Sequence, residues 1–244
     1  MISVTILTKN SQETLAATLA SLTHFPEVLL LDTGSTDQTL AIAAHFPNVR
    51  IFHHPFDGFG KTHNLASSLA THDYILSIDS DEILSPALSS EILSLTLNPN
   101  TVYSLDRHNH FNGKHIKYCA GWHPDRIVRL YNRKTTQFSE DKVHEKILTT
   151  NLQIIPLKHP LLHTPYRTIE EFLSKMQFYS TLFAEQKAPH KRSSLTKALA
   201  HGFAAFFKSY ILKRGFLGGR EGLIISLYNG HTTYYKYLKL AFHR

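Results

Sequence analysis

Residues 73–82 read Asp-Tyr-Ile-Leu-Ser-Ile-Asp-Ser-Asp-Glu, an apolar run that stops on three acids, Asp79, Asp81 and Glu82. Tyr74, Ile75, Leu76 and Ile78 are the side chains of a buried strand. Period-two alternation along the extended backbone turns Asp79 and Asp81 to one side and Ser80 to the other. Two carboxylates at a strand end repel each other unless a cation lies between them. A hard divalent ion, Mg2+ or Mn2+, completed by substrate phosphates and water, suits such a pair. A competing reading makes the acids caps for a helix that starts near Pro86.

The elements that must position these acids alternate. Residues 2–7, 28–31 and 49–52 are short apolar, β-rich runs. Between them lie helical spacings such as Leu15, Leu19 and Leu22, with Asn10 or Ser11 as a candidate cap, and a helix over 61–70 precedes the acidic strand. Strand and helix in turn predict an α/β fold with a parallel sheet flanked by helices. Ligands bind beyond the carboxyl ends of such strands. Lys9, Asp32 and Asp79 each sit at one of those ends, so one polar rim is expected.

Beyond a helix around residues 84–97 the pattern changes. Asn112-Gly113 between 108–111 and 114–117 is a hairpin signal, and 126–131 is a further strand. From Thr168 onward Phe172, Met176, Tyr179 and Phe183 recur at helical spacing, and two more helical stretches lie near 195–212 and 223–240. The expected organisation is an α/β domain over 1–165, changing character between 1–97 and 98–165, and a helical region over 166–244.

Composition narrows the classes. One cysteine, Cys119, excludes an intrachain disulfide and a multi-cysteine zinc site, and fits a reducing compartment. Seventeen histidines are scattered without metal-ligand spacing on a helix. No signal peptide and no run of membrane-spanning length are evident, so a cytoplasmic start is expected. Net charge is +7, and residues 186–220 hold eight Lys or Arg and no acid. That asymmetry calls for an anionic partner, and no nucleic-acid module accompanies it.

Thr8-Lys9-Asn10, Asp32-Thr-Gly-Ser-Thr-Asp37, Lys61 to Asn64 and Asp79-Ser80-Asp81, in that order, resemble family 2 glycosyltransferases of the GT-A fold. Trp122-His-Pro-Asp125 with Arg126 and Arg129, then Val143-His144-Glu145 and the glycines near Gly218, resemble the bacterial lipopolysaccharide-core glucosyltransferases among them. The resemblance covers the whole chain, most specifically residues 2–82. It implies a mostly parallel GT-A sheet, an antiparallel acceptor-side insertion and a C-terminal helical appendage. It implies a donor pocket of Thr8, Lys9, Asn10, Asp32, Gly34, Ser35, Lys61, Asn64, Asp79 and Ser80, with Mg2+ or Mn2+ on Asp79 and Asp81.

Carboxylate and amide groups at Asp32 and Asn10 match the imide and hydroxyls of a nucleoside, although a strand-end Asx turn also explains Asp32. Lys61 lines the pocket or lies on a solvated helix face. A base is needed within reach of the acceptor hydroxyl. The resemblance implies Glu145 first, in its Val-His-Glu signature, and Asp141 next, with Asp125 and Glu140 also open and an ion pair with Lys142 or Lys146 the competing reading. Trp122, Asp125, Arg126, Arg129 and His144 are expected on the acceptor side, with Trp122 stacking on sugar or filling a core.

The expected activity is inverting, metal-dependent transfer of a hexose, glucose from UDP-glucose, to a lipid-linked or lipopolysaccharide-core acceptor. The basic, aromatic C-terminal helices then lie on an anionic membrane, at the inner face of the cytoplasmic membrane, or pack on the catalytic domain. A sugar nucleotidyltransferase and a non-catalytic membrane adaptor are the rival readings.

Overall fold

The computed structural model describes residues 1–140 and 145–243. Strand β1 (Ile2–Thr8), helix α1 (Leu15–Ala20), β2 (Glu27–Asp32), α2 (Thr39–Ala43), β3 (Val49–His53), α3 (Phe59–Leu69) and β4 (Tyr74–Asp79) alternate as expected. Then come β5 (Glu82–Leu84), α4 (Pro86–Leu93), β6 (Thr101–Phe111), β7 (Lys114–His115), β8 (Arg126–Asn132), β9 (Gln153–Pro156) and β10 (Leu161–His163). Helices α5 (Ile169–Lys187), α6 (Leu195–Phe207) and α7 (Gly219–Phe242) complete the chain. The sheet order is β3-β2-β1-β4-β8-β6-β10-β5, with β7 and β9 also on β6. The first four strands are parallel, and β8 joins β4 antiparallel.

The chain divides into two compact units, Met1–Arg107 with Arg126–His163, and His108–Asp125 with Thr164–Arg244. In the first, alternation along the strands feeds two apolar layers. Val4, Ile6, Val28, Leu30 and Leu76 pack with Leu15 and Leu19 of α1 and Leu88 of α4. Leu29, Leu31 and Ile75 pack on the other face with Ala66 of α3, Tyr131 and Phe138. Each buried aliphatic side chain contributes about 1.5–3 kcal/mol, so strand polarity and register are strongly fixed.

In the second unit Asn112 (φ 50°) and Gly113 (φ 72°) close the β6–β7 hairpin, pairing Phe111 with Lys114. Phe111, Ile116, Cys119 and Trp122 form one cluster with Phe172 of α5 and Ile225 of α7. The C-terminal part of this unit begins at Thr164. The hairpin segment joins the C-terminal helices because its apolar side chains are buried among theirs. Thr168 and Ser194 cap α5 and α6 by accepting from the backbone N–H of Glu171 and Lys197.

Candidate active site

Register brings the strand ends together. Thr8 lies beside Asp32 and Leu7 beside Asp79, so the polar residues after β1, β2 and β4 share one rim. Alternation sends Thr8 and Asp32 to the sheet face of Leu30, and Asp79 to the face of Ile75.

The loops after β1 and β2 are stitched to each other. Asn10, at φ 52°, accepts from Thr36 N (2.8 Å) and donates its own N–H to Ser35 Oγ (3.0 Å). Asn10 and Ser11 therefore cap no helix; Ser11 N donates to Thr39 Oγ1 instead (2.7 Å). Asp32 is buried, and its carboxylate accepts from the N–H of Gly34 and Ser35 (both 3.1 Å) and from Ser35 Oγ (2.5 Å). Burial alone would raise its pKa, but these donors hold it below the usual carboxylate value. As placed, Asp32 builds an Asx turn. Gly34, at φ 106°, permits that turn, and Lys9 is exposed above it. Thr8 Oγ1 is buried with no hydrogen-bond partner among the described residues.

Around the acids the structure departs from simple alternation. β4 ends at Asp79, and Ser80-Asp81 form a turn into β5. Ser80 is tied to α1 and its approach, its Oγ 2.9 Å from Ser11 Oγ and its carbonyl accepting from Thr18 Oγ1 (3.0 Å). Asp79 Oδ2 meets Arg129 Nη2 at 2.5 Å and Arg107 Nη1 at 3.6 Å. Glu82, fully buried, takes the same two guanidiniums at 3.3 and 3.0 Å and accepts from Asp79 N (2.9 Å). Arginines, not only a metal, thus relieve the repulsion between acids. Although burial raises the Asp79 pKa, Arg129 and Arg107 hold it well below the usual range, whereas burial pushes Glu82 up. Asp81 Oδ1 lies 3.5 Å from His163 Nε2, which β10 brings alongside by pairing His163 with Glu82. The helix at Pro86 is capped by Ser85, so the acids do not cap it.

Arg129 reaches Asp79 through an irregularity. The β6–β8 register shifts beside Tyr103 and Ser104, leaving Arg129 out of the regular pairing. Its guanidinium, expected on the acceptor side, is engaged by Asp79 and Glu82. Arg126, at the start of β8, is exposed.

Glu145 is half-buried, with Oε1 3.9 Å from His63 Nε2. His63 itself is buried on α3, stacked on Phe138 (4.4 Å between rings), with Nδ1 3.3 Å from Ser77 Oγ on β4. Burial lowers its pKa to about 4, so the ring is neutral. Asn64 is engaged by the chain's own backbone. Its amide clamps the backbone of Phe138 in both directions (3.0 and 2.9 Å). Gly60 serves the same contact, since a Cβ there would lie 1.9 Å from Ser139 O. Lys61 is on a solvated face, 3.4 Å from Asp57. Asp141 and His144 lie outside the described residues.

Within the second unit Trp122 is buried and stacks near Tyr166 and Phe172, a core residue rather than an open platform. Asp125 accepts from Asn109 Nδ2 at 2.9 Å. A cavity of about 360 Å³ lined by Asn64, Ser67, Tyr131 and Arg133 lies toward the C-terminal end of α3. Arg133 caps the carbonyls of Ser67 and Ala70 there, so this cavity lacks the acids needed for chemistry. Sequence reasoning missed Arg107 and His63. Their only local signals were a charged pair closing an apolar strand, and an imidazole between the residues singled out at 61 and 64.

The sequence profile described as Glycosyl transferase family 2 matches residues 3–152. The chain is a family 2 glycosyltransferase. The transferase is 28% identical to an uncharacterized glycosyltransferase of Rickettsia felis, over 98% of this chain and 89% of the relative. It is 23% identical to the lipopolysaccharide core biosynthesis glycosyltransferase LpsC of Rhizobium meliloti, over 93% of this chain and 88% of that one. Among solved structures, S. aureus TarS 1-349 in complex with UDP-GlcNAc aligns with a TM-score of 0.53 at 18% identity, covering 93% of this chain and 79% of that one. The mannosyltransferase PcManGT from Pyrobaculum calidifontis, in complex with GDP-Man and Mn2+, aligns with a TM-score of 0.53 at 13% identity, covering 92% and 85%. The fold is that of the GT-A glycosyltransferases.

Proposed function

We propose that the transferase moves a hexose, glucose from UDP-glucose, with inversion onto a lipid-linked or lipopolysaccharide-core acceptor at the inner face of the cytoplasmic membrane. The observation that carries this reading is the shared rim, where register sets Thr8, Asp32 and Asp79 on adjacent strands with Asp81 in the following turn. The name of the LpsC relative supports the acceptor class. A uridine donor is supported by the UDP-GlcNAc complex of TarS, while the GDP-Man complex of PcManGT marks the competing base.

A divalent metal fits this chain's residues in one particular way. Asp79 and Asp81 are hard oxygen donors, and no group of three or more His, Cys, Asp or Glu among the described residues is arranged to hold a metal unaided. Such a site is completed by donor phosphates, the habit of Mg2+ and Mn2+ rather than zinc. When bound, the metal stabilises charge on the departing nucleoside diphosphate. Arg129 and Arg107 keep Asp79 ionised for that role.

In the transfer the bond from the sugar C1 to the diphosphate oxygen breaks and a bond from C1 to the acceptor oxygen forms on the opposite face. Glu145 accepts the acceptor's hydroxyl proton. His63, neutral and buried beside Ser77, borders that carboxylate, its Nε2 3.9 Å from Glu145 Oε1.

UDP release from UDP-glucose with Mn2+ and extracted glycolipid is the primary assay. Pyrophosphate as the product would instead indicate a nucleotidyltransferase. Asp81→Ala should abolish Mn2+-dependent UDP binding with the fold intact, and unchanged UDP affinity would remove Asp81 from the metal site. Glu145→Gln should stop transfer but keep UDP binding; retained turnover would move the base to Asp141 or Asp125.

A further inference from the structure

Helix α6 is turned inside out relative to an ordinary surface helix. Its closest approach to α7 runs through small residues, with Phe206 half-buried beside Gly230. Ala198 and Ser209 of the turn that continues it are fully buried, and Ser209 Oγ lies 3.0 Å from Ser226 Oγ. Gly202 is so close to α7 that a Cβ there would meet Tyr234 Cβ at 2.8 Å and Gly230 O at 3.2 Å. The outward side carries Leu195, Leu199, Phe203, Phe207 and Ile211 at four-residue spacing, all exposed, with Phe203 70% accessible. Leu212, Phe216 and Leu217 extend this surface through the next two turns. A soluble helix places its large apolar side chains on the buried face, and a contiguous apolar surface left outside marks an interaction site.

Charge identifies what covers it. Residues 186–220 hold eight Lys or Arg and no acid. Lys197 and Lys208 flank the apolar row, and Lys213 follows it, all exposed. Two copies meeting through this face would bring like charges together, whereas an anionic surface is attracted. No helix among the described residues is long and apolar enough to cross a membrane. At about 1.5 Å per residue, the 13 residues of α6 fall short of a bilayer core of about 30 Å.

We infer that the outward face of α6 and the turns after it is a docking surface for an anionic phospholipid bilayer, lying along the interface with Phe203 and Phe207 inserted among the acyl chains and the lysines at the headgroups. This deepens the lipid-linked acceptor reading by naming the surface that brings the transferase to its substrate, and it rests on that reading only for its purpose. Apolar insertion and basic attraction act together at such interfaces.

The test is sedimentation of the full chain with vesicles of phosphatidylcholine alone and of phosphatidylcholine mixed with phosphatidylglycerol. The expected result is partition onto the mixed vesicles that weakens with salt. Phe203→Asp combined with Phe207→Asp should lower partition by at least about tenfold, with UDP binding and melting temperature unchanged. Lys197→Glu with Lys208→Glu should remove most of the preference for phosphatidylglycerol. No partition onto the mixed vesicles, or partition indifferent to the double Asp substitution, overturns the inference. So does a dimer that the same substitution dissociates, which would assign the face to a second copy. Vesicle binding without UDP release on any glycolipid would leave the surface standing and sink the acceptor reading.

Discussion

In the first unit a cluster of charge is buried at one end of an apolar sheet, where Glu82 and Arg129 are closed off from water beside Asp79. In the second, α6 buries Ala198 and Gly202 and leaves Phe203 and Phe207 outside. Both arrangements oppose what solvent alone would favour, and each therefore points to a ligand. Buried guanidinium–carboxylate clusters are costly to desolvate, and the proposed function gives the rim of the first unit a charged substrate to meet. An apolar row facing outward marks an interaction surface, which the inference above assigns to a bilayer.

Arg129→Ala should break this contrast most severely. It leaves Glu82 and Asp79 with Arg107 alone, and a loss of about 3–5 kcal/mol in denaturant unfolding is expected. A loss below about 1 kcal/mol would mean that Arg107 suffices.

A second buried acid of the first unit, far from the rim, separates structural from chemical charge. Burial raises the Glu27 pKa, but Ser3, Thr71 and Arg50 together hold it down to about 2 from 4.5. A depressed carboxylate stabilises the fold above its unfolded value and loses that contribution as pH falls through its folded value. Glu27→Gln should therefore cost about 2–3 kcal/mol at neutral pH. The gap from wild type should close between pH 4.5 and about 2. A gap that stays constant into acid would show that the carboxylate charge plays no part.

His63→Phe tests whether the buried imbalance at the rim serves catalysis. With Glu145 as base, kcat should fall roughly ten- to hundredfold at unchanged donor KM, with partial recovery in His63→Gln. If melting temperature falls but kcat does not, His63 is only a packing residue. Phe203→Ser marks the small end of the scale. Its effect on unfolding should stay within about 0.5 kcal/mol, and a larger loss would mean that Phe203 is packed in the fold rather than reserved for a partner.

Much of the fold was legible because its signals are local. Apolar runs at 28–31 and 74–78 became β2 and β4, and Asn112-Gly113 closed a hairpin as expected. The candidate site was legible only as to place. The sequence leaves Asp32 open between a pocket and an Asx turn and Lys61 between a pocket and a solvated face; the hydrogen bonds of Asp32 and Asn64 are turned to the chain's own loops, and Lys61 pairs with Asp57 on the surface. Polar side chains serve turns and ligands equally well, and nothing in residue type separates the two uses.

The sequence by itself determined the parallel strands, the polar residues at their ends and the basic bias of the C-terminal helices, because periodicity and charge are properties of neighbouring residues. Tertiary structure alone decided that Arg107 and Arg129 flank Asp79, that Asn64 grips Phe138, and that α6 turns its phenylalanines outward. Those outcomes depend on contacts across many tens of residues and on where small residues allow two helices to approach, and local pattern carries neither.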